Sequence, residues 1–317
     1  MGKYFLAAAL ALAAVAARGQ SYPAREIRSI CNFGAGSGAD IVVRYYSERL
    51  ARVAGKPVVV ENKPGAQGAV ANDYVAKSKP DGYTILITPA SSTLAAAPHI
   101  FKKLSFDPLK DFAPVTTLLT LSFTITVDSA SPVRTVPELV ARLKAKPGHG
   151  FYGTQSNSGQ IAAELFKAKV GLSTAYVPFK ITGDAFANLL AGNIDFMSVD
   201  STWAAPMHPS RVRILAVTSA KRNPSLPDVP TLEELGLKDF DVSPWFGVLV
   251  PAGTPRPVID RLAGWFNEIN RDAETHEFLR RQAAVAFPGT PESMAALLKS
   301  ETERWGRYVK LAKIEPQ

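Results

Sequence analysis

Apolar residues along this chain fall into short runs separated by glycine-bearing polar loops and longer amphipathic stretches. Ile30-Cys31-Asn32 ends one such run and reads as a strand. Phe33-Gly34-Ala35-Gly36-Ser37-Gly38-Ala39-Asp40 then forms a three-glycine loop that opens an amphipathic helix. Pro57 to Glu61 (PVVVE) reads as a buried strand, Asn62 to Gly68 as a second glycine-bearing loop, and Ala69 to Lys77 as a helix. Pro80-Asp81-Gly82 is a turn, Tyr83 to Thr88 a strand, and Pro89 to Thr93 a small polar loop. Strands alternating with helices predict βαβ units and a mainly parallel sheet. Ligands of such sheets bind beyond the carboxyl ends of the strands, and the loops at 33–40, 62–68 and 88–93 all follow strands.

A second set of units starts with a strand from Leu121 to Val127. Thr135 and Glu138 form a capping-box pattern ahead of a helix that ends near Lys146. Phe151-Tyr152-Gly153 leads into the polar loop Thr154 to Gln160, and a helix runs from Ile161 to Val170. Strands are expected at Thr174 to Pro178, at Ile194 to Val199 (delivering Asp200), at Arg213 to Thr218 and at Val242 to Val250. A helix opens at Thr182-Gly183-Asp184, and three more occupy roughly 255–270, 273–283 and 290–312. The pattern is that of two α/β halves whose loops face each other.

The first helix N-terminus bears on chemistry. The leading N–H groups of a helix lack internal partners, and the helix dipole adds partial positive charge there. Such a place attracts anions. The loop at 154–160 repeats the arrangement in the second half.

The start of the chain sets the compartment. Lys3 precedes an apolar run from Tyr4 to Ala17, and Ala14-Val15-Ala16 is a small-x-small cleavage site. The run is shorter than the roughly 20 residues a permanent span needs, so residues 1–21 read as a signal peptide. The net charge of +8 becomes +6 without Lys3 and Arg18. The basic residues are scattered with no aromatic-interleaved run, so no nucleic-acid partner is expected. The single cysteine, Cys31, forbids an internal disulfide and reads as a buried core thiol. The histidines His99, His149, His208 and His276 show no metal-ligand spacing, and no catalytic or nucleotide motif occurs. Asp40 and Asp200 read as a helix cap and a loop residue rather than a catalytic carboxylate pair. No metal, cofactor or enzymatic activity is expected.

Several segments, in order over the whole mature chain, carry a family resemblance. They include Asn32-Phe33-Gly34-Ala35-Gly36, Val58-Val59-Val60-Glu61-Asn62-Lys63-Pro64-Gly65-Ala66 and Lys79-Pro80-Asp81-Gly82-Tyr83-Thr84. Asp107-Pro108-Leu109-Lys110-Asp111-Phe112, Leu226-Pro227-Asp228-Val229-Pro230-Thr231 and Pro251-Ala252-Gly253-Thr254-Pro255 continue the series. The chain resembles the extracytoplasmic solute-binding proteins of tripartite tricarboxylate transporters, the Bug family. The resemblance implies a type II periplasmic-binding-protein fold, a two-lobed Venus flytrap with a mostly parallel, helix-flanked sheet in each lobe. It implies lobe boundaries at 22–122 with 246–317, and at 123–245, with the ligand cleft between. It further implies a periplasmic monomer that binds a small carboxylate and presents it to large and small membrane subunits. A sensory variant would present the closed form to a receptor kinase instead, and the residues leave both open.

In the family, the loop corresponding to Phe33 to Ser37 holds one ligand carboxylate, and the loop corresponding to Gln155 to Gln160 contributes from the other lobe. On this reading Phe33 is an apolar wall, and Gly34, Ala35, Gly36 and Ser37 offer backbone to the anion. Gln67, Ser91 and Ser92 donate from the same lobe. Gln155, Ser156, Asn157, Ser158 and Gln160 face them, Lys180 pairs charge, and Asp200 completes the distal side. Asp40 either accepts from a ligand group or caps its helix. Trp203 and Trp245 line the cleft or pack in the core. The sequence departs from common relatives at Gly36-Ser37, in the short 154–160 loop, at Ile181 and at Met207 to Ser210. Most of these belong to the distal lobe, so the ligand of a relative does not transfer.

Overall fold

The computed structural model describes residues 22–179 and 181–316, so the expected signal peptide and Lys180 lie outside the described residues. The first half runs β1 (Ile27–Cys31), α1 (Gly38–Ala54), β2 (Val58–Asn62), α2 (Ala69–Ala76), β3 (Thr84–Thr88), α3 (Ala97–Ile100) and β4 (Phe112–Thr120). The second half runs β5 (Phe123–Asp128), α4 (Val136–Lys144), β6 (Phe151–Thr154), α5 (Asn157–Val170), β7 (Ala175–Pro178), α6 (Thr182–Leu190), β8 (Phe196–Asp200), α7 (Ser201–Ala204) and β9 (Val212–Val217). The chain then returns through β10 (Trp245–Pro251), α8 (Arg256–Arg271), α9 (Ala273–Arg281), β11 (Val285–Ala286) and α10 (Pro291–Leu311).

Two sheets form, one per lobe. The first has the order β11-β4-β10-β3-β1-β2 and the second β7-β6-β8-β5-β9. Four strands of each sheet point one way, as a mostly parallel sheet requires. The pairings are nevertheless mixed: β10 is antiparallel to both β3 and β4, and β5 is antiparallel to both β8 and β9. One reversed strand inside each sheet, with β11 reversed as well at the edge of the first, produces this pattern.

The strand β4 was absent from the expected elements. Its sequence FAPVTTLLT carries a proline, which normally marks a sheet edge, yet β4 sits between β10 and β11. The register with β10 shifts between Val248 and Leu249, and Leu249 pairs with Pro114 beside that irregularity. β11 reaches only Leu119 and Thr120, so at Pro114 one side of β4 is a sheet edge, where a proline is tolerated.

Alternation along β1 distributes its side chains to two cores. Ile27 and Cys31 face α1 and α8, packing with Tyr46 and Phe266, and Cys31 is a buried thiol as expected. Ile30 faces the opposite side with Leu86, Leu94 and Trp305. That second core continues without a break into Phe123, Tyr152, Phe166 and Phe196 of the other sheet. Complete burial of a side chain of this size is worth about 1.5–3 kcal/mol. Phe186, Leu189, Met197 and Ile214 fill the remaining face of the second sheet.

The lobes are joined where the chain crosses at Thr120–Phe123 and again between Val217 and Trp245. The crossings are bonded side by side. Leu121 N–H donates to Pro244 O (2.9 Å), Val242 N–H to Thr218 O (2.9 Å) and Thr218 Oγ1 to Val242 O (2.7 Å). Among the described residues, no helix is long and apolar enough to cross a membrane, and no group of side chains could hold a metal ion.

Candidate functional site: a cleft between two helix N-termini

The loop after β1 is fixed from beneath by one carboxylate. Asp40 is buried, and its Oδ2 accepts from Gly36 N–H (2.8 Å) and from Arg44 Nε (2.8 Å). Its Oδ1 accepts from Asn62 Nδ2 (2.7 Å), which also donates to Phe33 O (2.9 Å). Arg44 Nη2 closes the ring by donating to Asn62 Oδ1 (3.0 Å). Burial would push the Asp40 carboxyl up, but the hydrogen bonds from Arg44, Asn62 and Gly36 outweigh it and hold the carboxyl below its ordinary value. Ser37 caps α1 by accepting from Asp40 N–H (3.2 Å).

This geometry sorts the expected contacts. The Gly36 N–H is taken by Asp40, and both oxygens of Asp40 are taken by Gly36, Arg44 and Asn62. The N–H groups of Gly34, Ala35, Gly38 and Ala39 have no acceptor among the described residues and sit at an exposed loop and helix start. Phe33 is half-buried, with its ring against the core behind β1.

The loop after β2 carries unusual backbone. Gly65, Ala66, Gln67 and Gly68 all have positive φ, at 135°, 42°, 51° and 96°. Positive φ at two consecutive non-glycine residues is strained, and such strain gathers at ligand-binding places. Gly68 must lack a side chain, because a β-carbon there would lie 2.6 Å from Asn32 Nδ2. Asn32 in turn donates to Thr88 Oγ1 (2.7 Å), and the Thr88 and Thr93 hydroxyls share a hydrogen bond (2.8 Å). A buried polar layer thus ties the three loops of the first lobe together.

After β3, Ser91 is buried and accepts from Trp245 N–H (3.2 Å), while half-buried Ser92 donates to Pro89 O (3.1 Å). Both hydroxyls have intramolecular partners. Trp245 and Trp203 pack in the cores rather than standing free: Trp245 is buried, and Trp203 meets Phe186 edge to face.

In the second lobe, Ser156 caps α5 by accepting from Gly159 N–H (3.1 Å). Gly159 lies flush on the sheet, since a β-carbon would be 2.3 Å from Thr154 Oγ1 and 2.8 Å from Ser198 O. The Asn157 and Ser158 N–H groups at this helix start have no acceptor among the described residues. Gln155 is exposed, Gln160 half-buried and Ser158 buried. Asp200 caps α7, accepting from Trp203 N–H (3.1 Å) and from the Thr202 hydroxyl.

Across the mouth of the cleft the lobes approach at two places. Asn157 Nδ2 donates to Gln67 Oε1. A β-carbon on Gly38 would sit 3.8 Å from Thr202 Oγ1, so the start of α1 nearly touches α7. The loops of Phe33–Ser37, Gln67, Asn157 and Asp200–Thr202 therefore border one cleft. Ser91 lies behind it. Sequence reasoning missed Arg44, Asn62, Asn32 and Thr202 as members or supports. Arg44 was legible as the i+4 partner of Asp40 on one helix face; Thr202 carries no local signal.

Two α/β lobes whose strand-end loops border one cleft have the architecture of solute receptors of the periplasmic-binding type. The family model for the tripartite tricarboxylate transporter family receptor matches residues 42–314, and the chain belongs to that family. It is 31% identical over 310 residues to Protein BugT of Bordetella pertussis, covering 96% of this chain and 94% of BugT. Rpa4515 of R. palustris, solved with adipate, superposes with a TM-score of 0.84 at 29% identity, covering 93% of this chain and 100% of that one. MatC of Rhodopseudomonas palustris, solved with bound malate, gives 0.78 at 28% identity, covering 91% and 100%. The family and fold are those of solute-binding receptors, not enzymes.

Proposed function

We propose that this protein binds a small carboxylate in the periplasm and delivers it to the membrane subunits of a tripartite transporter. The observation that carries the reading is the pair of helix N-termini facing one cleft. The unpartnered N–H groups of Gly34, Ala35, Gly38 and Ala39 belong to one side, and those of Asn157 and Ser158 to the other. Each helix end contributes about 0.3–1 kcal/mol to an adjacent anion, so one alone is weak and two opposed ends favour a ligand with a carboxylate at each end. Adipate and malate, named for the two relatives, are ligands of that form. Ordered waters are a suitable bridge where the backbone stands back from the ligand.

In this reading residues 22–122 with 246–317 form one lobe and 123–245 the other, residues 1–21 are removed on export, and the monomer is the working unit. Gly34, Ala35, Gln67, Asn157 and Ser158 touch the ligand or its waters. Asp40 holds the loop, and Lys180 supplies charge from the distal side. The test is a thermal-shift series on residues 22–317 with malate, adipate, citrate, benzoate and amino acids. A ligand that binds only the folded state raises the melting temperature once its concentration passes Kd. A shift confined to one carboxylate class is expected, and no shift with any carboxylate sinks the reading.

A further inference from the structure

A cavity of about 690 Å³ lies on the far side of the two crossings from the cleft. The strand orders fix this placement. The cleft loops follow β1, β2, β6 and β8, toward one lateral edge of each sheet. The cavity borders the same ends of the sheets but toward the opposite lateral edge, at β4, β10 and the short edge strand β11 in the first sheet and at the segments before β5 and after β9 in the second. Thr120, Ser122 and Phe287 wall it from the first lobe, Ser219 and Asn223 from the second, and Trp245 stands at the boundary between them. A body seated there touches both lobes at once. The volume falls in the usual range of small-molecule sites, about 300–1,000 Å³.

The lining selects a chemistry. Phe287 is 38% exposed, a large apolar ring at the rim, and Leu121 and Leu297 extend the apolar wall. Arg304 is committed to Asp241 (3.1 Å) and Glu301, and Arg222 to Glu234 (2.8 Å). Lys221 and Arg307 are exposed and make no ion pair among the described residues. The wall acids are thus paired, while two wall cations are open.

We propose that this cavity is a second binding site, for a small amphiphile with an apolar body and one anionic head group, and that its occupation favours closure of the cleft. The coupling follows from placement. Cleft and cavity lie on opposite sides of the crossings, so a rotation that brings the cleft walls together moves the cavity walls apart. An occupant that fits the wider cavity binds the closed form better and shifts the lobes toward it. The inference does not depend on what the cleft itself binds.

The probe is 1-anilinonaphthalene-8-sulfonate, an aryl sulfonate whose fluorescence reports binding. One saturable site is expected on residues 22–317, weakened at least tenfold in the double variant Lys221→Glu/Arg307→Glu and in Phe287→Asp. The double variant changes only exposed side chains, and its circular dichroism is expected to match the parent. Titration without saturation, or unchanged affinity in the double variant, overturns the site. For the coupling, Gln67→Cys/Asn157→Cys is joined across the cleft with a short bismaleimide, Cys31 being buried and out of reach. The joined protein is expected to bind the probe at least threefold more tightly than the unjoined one. Equal or weaker affinity overturns the coupling.

Discussion

Asp40 places a negative charge directly under a loop meant for anions, and its neighbours neutralise it. The charge is shared with Arg44, while Gly36 and Asn62 donate to the same carboxylate, so the loop above presents N–H groups with little repulsion from below. Hydrogen bonds to a charged group are worth about 1.5–3 kcal/mol, and Asp40→Ala is expected to lower stability in urea by that amount. Ligand affinity should fall with it, because the loop geometry relaxes. The pH dependence has a definite sign. A carboxyl held below its ordinary value in the folded state adds stability that is present above the ordinary range and is lost as pH falls through the depressed value. Melting temperature should therefore drop on acidification below the ordinary carboxylate range, and less steeply in Asp40→Asn, already destabilised at neutral pH. The sequence left Asp40 between capping and ligand contact. The choice depends on Asn62 and Gly36, which only the folded loop brings to it.

At the scale of elements, the strand–loop–helix units after β1 and β6 were legible because glycine, small polar caps and apolar runs agree locally. Ser156 was readable as a residue at a helix start, and its cap is observed. Ser156→Ala is expected to cost about 1 kcal/mol, read from the denaturation midpoint. Gly159→Ala should cost about 1–3 kcal/mol, because the added methyl meets Thr154 and the Ser198 backbone and pushes α5 off the sheet. Its signature is a lowered melting temperature together with weaker carboxylate binding. What stayed hidden was β4. Its proline and threonines imitate a loop, and only pairing with β10, more than a hundred residues later, makes it a strand. The mixed pairing in both sheets was hidden for the same reason, since strand direction is a property of neighbours distant in sequence.

For the whole molecule, the Gln67–Asn157 bond is a latch between lobes made by two neutral side chains. A neutral hydrogen bond contributes about 0.5–1.5 kcal/mol, so Asn157→Ala should weaken ligand binding roughly threefold to tenfold. Small-angle scattering is expected to show a larger radius of gyration for the variant than for the parent, both without ligand. The distribution of the two sheets along the chain has another effect. All strands of the second sheet come from the contiguous stretch 123–217, whereas the first sheet needs β10 and β11 from near the end. Without residues 245–251, β3 and β4 have no strand between them. Time of emergence therefore matters: as the polypeptide is threaded or synthesised from its N-terminus, the lobe that begins first can finish only last. Until then β4 lacks both of its neighbours and only β1, β2 and β3 can pair with one another, so the leading part of the chain remains slack enough to be passed along.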